Sequence, residues 1–380
     1  MHLWHKITQL KAPTLRSQQL TRWLQVGSLK RFVSLFLVGV SLSVAIAACT
    51  GGNANNQTAT SSGGASPAAN KGDVELTLVS FAVTKAAHEK IIPQFVEQWK
   101  KEHNNQNVTF KQSYGGSGTQ ARAVIDGLEA DVLHLALALD TKKVEKAGLI
   151  QPGWEKEAPN DGIVSKSVAA IVTREGNPKG IKTWEDLSKP GVKVITANPK
   201  TSGGARWNFL ALWGSVTKTG GDEKKALDLT TKVIKNAPVL PKDAREASDA
   251  FFKQGQGDAL INYENEMILA KQNGQNVPYV VPDVNISIDN PIAVVDKNVD
   301  KHGTREVAEA FVKYLYTPEA QREFAKAGFR PVDPTVAKEV EKDFPQVKTL
   351  FTVQDLGGWD TVQKQFFDDG AAFDKIQSKG

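Results

Sequence analysis

Two short segments carry the residue types that could hold an anion. The first is Tyr114-Gly115-Gly116-Ser117-Gly118-Thr119-Gln120, and the second is Asn198-Pro199-Lys200-Thr201-Ser202-Gly203-Gly204-Ala205-Arg206. Each follows a strand-like apolar run (108–110 and 192–196) and precedes helical spacing (121–128 and 207–216). The first turn of a helix has N–H groups without an intrahelical acceptor, and the helix dipole adds partial positive charge there. Glycines let that backbone come close to a ligand, and a serine adds a hydroxyl donor. Such a turn can hold an oxyanion without a cationic side chain. Glycine and serine also make ordinary turns and caps, and for one loop alone that plainer reading is the stronger. Two loops in the same strand–turn–helix setting shift the balance to binding.

Rival chemistries fail on inspection. Neither loop reads G-x-x-x-x-G-K-[ST], so neither is a nucleotide P-loop. A nucleophile elbow around Ser117 breaks at Thr119. There is no H-E-x-x-H, and His88, His103, His134 and His302 are scattered, which reads as surface or structural use. Asp and Glu are plentiful, but no pair is singled out by its setting. Trp207 and Trp213 read as core of the second helix. No catalytic residue, metal or cofactor is expected, and the chain reads as a non-enzyme.

The elements that must place these loops alternate. Residues 74–79 read as a strand, Ile91, Phe95, Val96 and Trp99 recur at helical spacing, and 132–139 reads as a buried strand. Runs at 168–172, 192–196 and 259–262 continue the pattern, 286–295 reads as a long extended return, and 311–329 as one amphipathic stretch. This order argues for an α/β fold of two lobes with a cleft between them, each lobe a mixed, mostly parallel sheet flanked by helices. The lobe boundaries expected are about 73–167 plus 287–380 for lobe I and about 168–286 for lobe II. Ligands in open α/β sheets lie outside the carboxyl ends of strands, where both loops fall.

Charge separates the first fifty residues from the rest. Lys6, Lys11, Arg16, Arg22, Lys30 and Arg31 supply six of the 47 basic residues, and none of the 42 acidic ones lies in residues 1–49. Without that leader the chain is close to neutral, so no nucleic-acid partner is expected. Lys30-Arg31 precede an apolar stretch over 32–47, shorter than the ~20 residues that comfortably span a bilayer. It ends in Ile46-Ala47-Ala48-Cys49, similar to a bacterial lipobox, and Cys49 is the chain's single cysteine. Residues 1–49 thus read as a lipoprotein-type signal peptide with Cys49 as the lipidation site. The Gly/Ser/Asn/Ala-rich residues 50–72 read as a flexible tether.

The nine residues Asn198 to Arg206 resemble the signature of the periplasmic sulfate-binding proteins of bacterial ABC importers, and the likeness runs over about 73–380. It includes Tyr114-Gly115-Gly116-Ser117-Gly118, Leu135-Ala136-Leu137-Ala138-Leu139-Asp140, Lys313-Tyr314-Leu315-Tyr316-Thr317-Pro318-Glu319, Phe329-Arg330-Pro331 and Gly357-Gly358-Trp359. The resemblance implies a hinged two-lobed fold (type II) that buries dehydrated sulfate between its lobes. It implies donation from Ser117 in one lobe, from the N–H groups of Ser202, Gly203 and Gly204 with the Ser202 hydroxyl, and from the N–H of Ala244. Tyr263 stands where that family commonly has a tryptophan donor, and Ala82 where it has an early aspartate. The implied function is extracytoplasmic capture of sulfate and delivery to an ABC permease by a monomer held at the membrane through a lipid. Thiosulfate, molybdate and phosphate are the alternative ligands, and a hydrolase or transferase on the same fold is the alternative class.

Overall fold

In the computed structural model, residues 72–275 and 277–378 are described. The signal peptide, Cys49 and nearly all of the tether lie outside the described residues.

Strand β1 (Val74–Phe81) is central in a five-stranded sheet of order β2-β1-β3-β10-β4, with β2 Val108–Gly115, β3 Val132–His134, β4 Ile163–Ser167 and β10 Ile288–Val294. Helix α1 (Lys85–Glu102) links β1 to β2, which runs parallel to it, by burying Ile91, Phe95 and Trp99 along one stripe. The register sets Phe81 opposite Gly115 and Ser80 opposite His134, so three strand ends share one edge. Helices α2 (Ser117–Ile125) and α3 (Ala138–Lys146) leave from that edge.

At Val168 the chain crosses into a second sheet, of order β6-β7-β5-β8. Its strands are β5 Ala169–Thr173, β6 Val194–Ile195, β7 Ala259–Tyr263 and β8 Tyr279–Val280. Helices α4 (Gly203–Thr217), α5 (Glu223–Lys235), α6 (Ala244–Phe252) and α7 (Glu264–Gln272) belong with this sheet. The chain returns through β9 (Val284–Ile286) into β10, and β11 (Thr349–Phe351) later runs parallel beside β9. The architecture is α/β, as expected, but the sheets are evenly mixed rather than mostly parallel: β10 is antiparallel to β3 and β4, and β5 to β7 and β8.

Two differences from the sequence reading have physical causes. The strand expected over 132–139 stops at His134, because the Ala136 carbonyl accepts from Trp207 Nε1 (2.8 Å) and Asn290 Nδ2 (3.0 Å) instead of a sheet neighbour. The amphipathic stretch over 311–329 is two helices, Arg305–Tyr314 and Pro318–Lys326. The second restarts at Thr317, whose side chain accepts the Ala320 N–H ahead of Pro318. Near the C-terminus Phe366, Phe367 and Phe373 lie against Phe209 of α4, at 5.4, 5.3 and 6.5 Å between ring centroids.

Helix α4 is buried on nearly every face. Its Gly214 is obligatory, since a Cβ there would sit 2.0 Å from the Phe351 ring of β11. His88 and His134, read as scattered, meet in the core with Nε2 to Nδ1 at 3.1 Å. Burial holds the pKa of His88 down to about 3 and that of His134 well below normal, with His88 a second cause there, so both stay neutral. Among the described residues no helix is long and apolar enough to cross a membrane, and no His/Cys/Asp/Glu cluster could hold a metal.

Candidate functional site

The carboxyl-terminal edges of the two sheets face a small cavity. Ser117, Ser202, Gly203, Gly204, Ala244 and Tyr263 all line it, although they come from four separate stretches of chain. Phe81, Ala82 and Val83 close one wall, which sequence spacing alone did not single out.

Each donor group is set by its local element. Asn198 shapes the longer loop: its carbonyl accepts the N–H groups of Thr201 (3.1 Å) and Ser202 (2.8 Å), and its Oδ1 accepts that of Lys200 (2.9 Å). Ser202 is then the N-cap of α4, its hydroxyl oxygen accepting from Ala205 N at 3.3 Å. That leaves the Ser202 hydroxyl hydrogen and the N–H groups of Gly203 and Gly204 without protein acceptors. The Ser202 N–H, expected as a donor, is taken by Asn198. Asp243 caps α6 by accepting the Glu246 N–H (2.9 Å), which leaves the Ala244 N–H free at the helix start. Asn262 Nδ2 fixes this turn by donating to the Ala244 carbonyl at 2.8 Å.

Ser117 opens α2, but its hydroxyl is occupied. It donates to Asp140 Oδ2 at 2.7 Å and accepts the Ala136 N–H at 3.1 Å, so the group Ser117 has left to offer is its backbone N–H. Asp140 is fully buried, and Arg206 Nη1 reaches its Oδ1 at 3.2 Å. Burial pushes the Asp140 pKa up, yet the charges of Arg206 and Lys143 and the Ser117 hydrogen bond together hold it below the usual value. The ionised carboxylate is what fixes the Ser117 hydroxyl as a donor. A carboxylate ending the apolar run Leu135 to Leu139 was the only sequence signal for this, since its arginine partner is 66 residues away.

Tyr263 ends β7 with its hydroxyl buried and without a partner. Burial, then the charges of Glu266 and Asp140, push its pKa well up, so it remains an O–H donor. The loops touch around it. Gly118 N–H donates to the Thr201 carbonyl at 3.1 Å, and a Cβ on Gly204 would lie 2.6 Å from the Tyr263 ring. A Cβ on Gly203 would lie 2.7 Å from Ala136, so both glycines are there because side chains would not fit.

Among the described residues no cationic side chain lines the cavity. The ends of α2, α4 and α6 converge on it, each bringing unpaired N–H groups and partial positive charge. Such convergence of helix N-termini suits the binding of a small anion.

A cleft of donors between two α/β sheets is the arrangement expected of a protein that holds a small solute. The sequence profile of the bacterial extracellular solute-binding proteins matches residues 76–330. The sulfate-binding protein of Synechococcus elongatus is 59% identical over 349 residues, 92% of this chain and 96% of that one. The thiosulfate-binding protein of Pseudomonas aeruginosa is 40% identical over 303 residues, 79% of this chain and 91% of that one. The solved sulfate-binding protein SubI of Mycobacterium tuberculosis H37Rv superposes with a TM-score of 0.71 at 38% identity, covering 78% of this chain and 100% of that one. The chain belongs to the sulfate-binding proteins within the bacterial extracellular solute-binding family.

Proposed function

We propose that this protein captures sulfate outside the cytoplasm and delivers it, chemically unchanged, to the permease of an ABC importer. The observation that carries the reading is the small cavity on which unpaired donors converge, with the Tyr263 hydroxyl buried and awaiting an acceptor. Sulfate near neutral pH is a dianion with no proton to donate, so a pocket of donors satisfies it fully. A protonated phosphate needs an acceptor, and an unmet buried polar group costs about 1–3 kcal/mol. Asp243, a carboxylate at the cavity, commits its Oδ1 to its own helix start. Ser202 (hydroxyl), Gly203, Gly204, Ala244, Tyr263 and the Ser117 N–H are the sulfate ligands in this reading.

Two lobes close on the anion. The first is about 73–167 plus 287–357, the second about 168–286 together with the C-terminal tail that packs on α4. Cys49 carries the lipid that holds the protein, as a monomer, at the membrane. Its replacement by alanine should release the protein into the soluble fraction.

Calorimetric titration with sulfate at pH 6 and pH 8 tests the ligand, with thiosulfate, molybdate and phosphate alongside. The reading requires one-to-one sulfate binding of similar strength at both pH values. Preference for thiosulfate would keep the fold and mechanism and reassign the ligand. No binding of any oxyanion would end the capture reading.

A further inference from the structure

The stretch matched by the family profile ends at residue 330, but the chain continues into an arm over 358–378 that reaches back to the ligand loop. Trp359 packs on Trp207 at 4.7 Å, and Phe366 on Trp213 at 4.7 Å, both on α4. From this arm three oxygens meet the Lys200 ammonium: the Phe367 carbonyl at 3.1 Å, Asp374 Oδ2 at 3.0 Å and Asp369 Oδ1 at 3.3 Å. The Gly370 N–H holds the same Asp374 oxygen at 2.8 Å. At the far end of the loop the Arg206 guanidinium lies 5.5 Å from the Phe367 ring, while its Nε donates to the Pro199 carbonyl at 2.8 Å. The arm therefore grips the loop on both sides of Ser202, Gly203 and Gly204 without lining the cavity.

We propose that the arm is a clamp that sets the geometry of the ligand loop, with Lys200 and Asp374 as positioning residues that never touch the anion. The proposal rests on the sulfate reading above. Partly exposed ion pairs of this kind add little to global stability. Their effect falls on the loop, where the donors of α4 must meet a small rigid ligand at fixed distances. Positioning and simple electrostatics predict opposite signs for one variant. Asp374→Asn removes a negative charge near an anion site, which by charge alone would tighten binding, whereas a loosened clamp weakens it.

The test is the sulfate Kd of the full-length protein, its Lys200→Met, Lys200→Arg and Asp374→Asn variants, and the double variant. Lys232→Met, which breaks an exposed pair with Asp228, is the control. Lys200→Met and Asp374→Asn should each weaken binding by about three- to tenfold with little change in Tm. Lys200→Arg should recover most of the loss, the control should match wild type, and the double variant should lose no more than the worse single one. Wild-type affinity in both single variants, or tighter binding by Asp374→Asn, would overturn the clamp. If wild type itself binds no sulfate, the ligand reading fails instead. Amide exchange at Gly203, Gly204 and Ala205 then decides the clamp: faster in Lys200→Met supports it, unchanged refutes it.

Discussion

Replacing Tyr263 by phenylalanine separates ligand binding from folding, because the two effects have different signs. The phenol is 1% exposed, its hydroxyl has no protein partner, and its ring rests 6.1 Å from that of Phe81. The substitution removes one oxygen and leaves the ring in place. In the closed, ligand-free protein this relieves an unsatisfied buried hydroxyl, a group that costs about 1–3 kcal/mol when fully desolvated. Water reaches the hydroxyl whenever the cleft opens, so the net gain in stability is about 0–1 kcal/mol. With sulfate bound the same hydroxyl makes a charge-assisted hydrogen bond worth about 1.5–3 kcal/mol. Its loss should weaken binding by about one to two decades.

Denaturant unfolding and calorimetry on the same preparation give both numbers. The expected result is an unfolding midpoint at or slightly above wild type, with an affinity lower by about ten- to a hundredfold. An affinity within twofold of wild type would refute Tyr263 as a ligand. A midpoint well below wild type would show that the hydroxyl has a protein partner after all.

Ser202→Ala should lower both quantities, because that hydroxyl caps α4 as well as facing the cavity: about 1 kcal/mol of stability and roughly a decade or more of sulfate affinity, read by the same two methods. Arg330→Met leaves Glu264 fully buried without its two-pronged partner, now at 2.7 and 3.0 Å, and should cost about 3 kcal/mol at neutral pH. Burial already pushes the Glu264 pKa up against the pull of Arg330, so the variant's deficit should shrink as pH falls and the carboxyl protonates, measurable as unfolding midpoints from pH 7 to 5. His302 donates to Glu129 and Asp131, and these bonds raise its pKa above 6.5. Its stabilising contribution is therefore complete below the unfolded-state value and fades as pH rises through the raised one. Wild type should lose Tm relative to His302→Gln between pH 6 and pH 8.5, and parallel curves would show that the pair is inert.

Local features of this fold were legible in the sequence, and long-range ones were not. A Gly/Ser turn between an apolar run and helical spacing is a local pattern, which is why both ligand loops stood out with the correct elements on either side. Ala244 and Tyr263 have no such pattern and came only from resemblance to a family. The end of β3 depends on Trp207 and Asn290, 71 and 154 residues from the carbonyl they take, so periodicity extended that strand too far. Ser117 shows the same limit within the site. Its residue type promised a hydroxyl donor, but Asp140 and the Ala136 N–H use that hydroxyl up, and only the fold reveals that the backbone is what remains.

The arrangement of helix ends also supplies a reason for the cleft to open when empty. Each helix N-terminus carries partial positive charge, and α2 and α4 meet here from opposite sheets, with α6 beside them. Without an anion these like charges face one another across a small cavity and the Tyr263 hydroxyl is unpaired, so closure on an empty cleft is expected to carry a penalty. In the proposed function a dianion would reverse these terms: the dipoles would attract it, the N–H groups would find acceptors, and the phenol would be satisfied. On this proposal the ligand would stabilise the closed form by removing its cost, beside the Gly118–Thr201 bridge that already joins the two loops. Small-angle scattering checks this directly. The radius of gyration should fall when sulfate is added to the ligand-free protein, and an equal value with and without sulfate would mean that the empty cleft has no tendency to open.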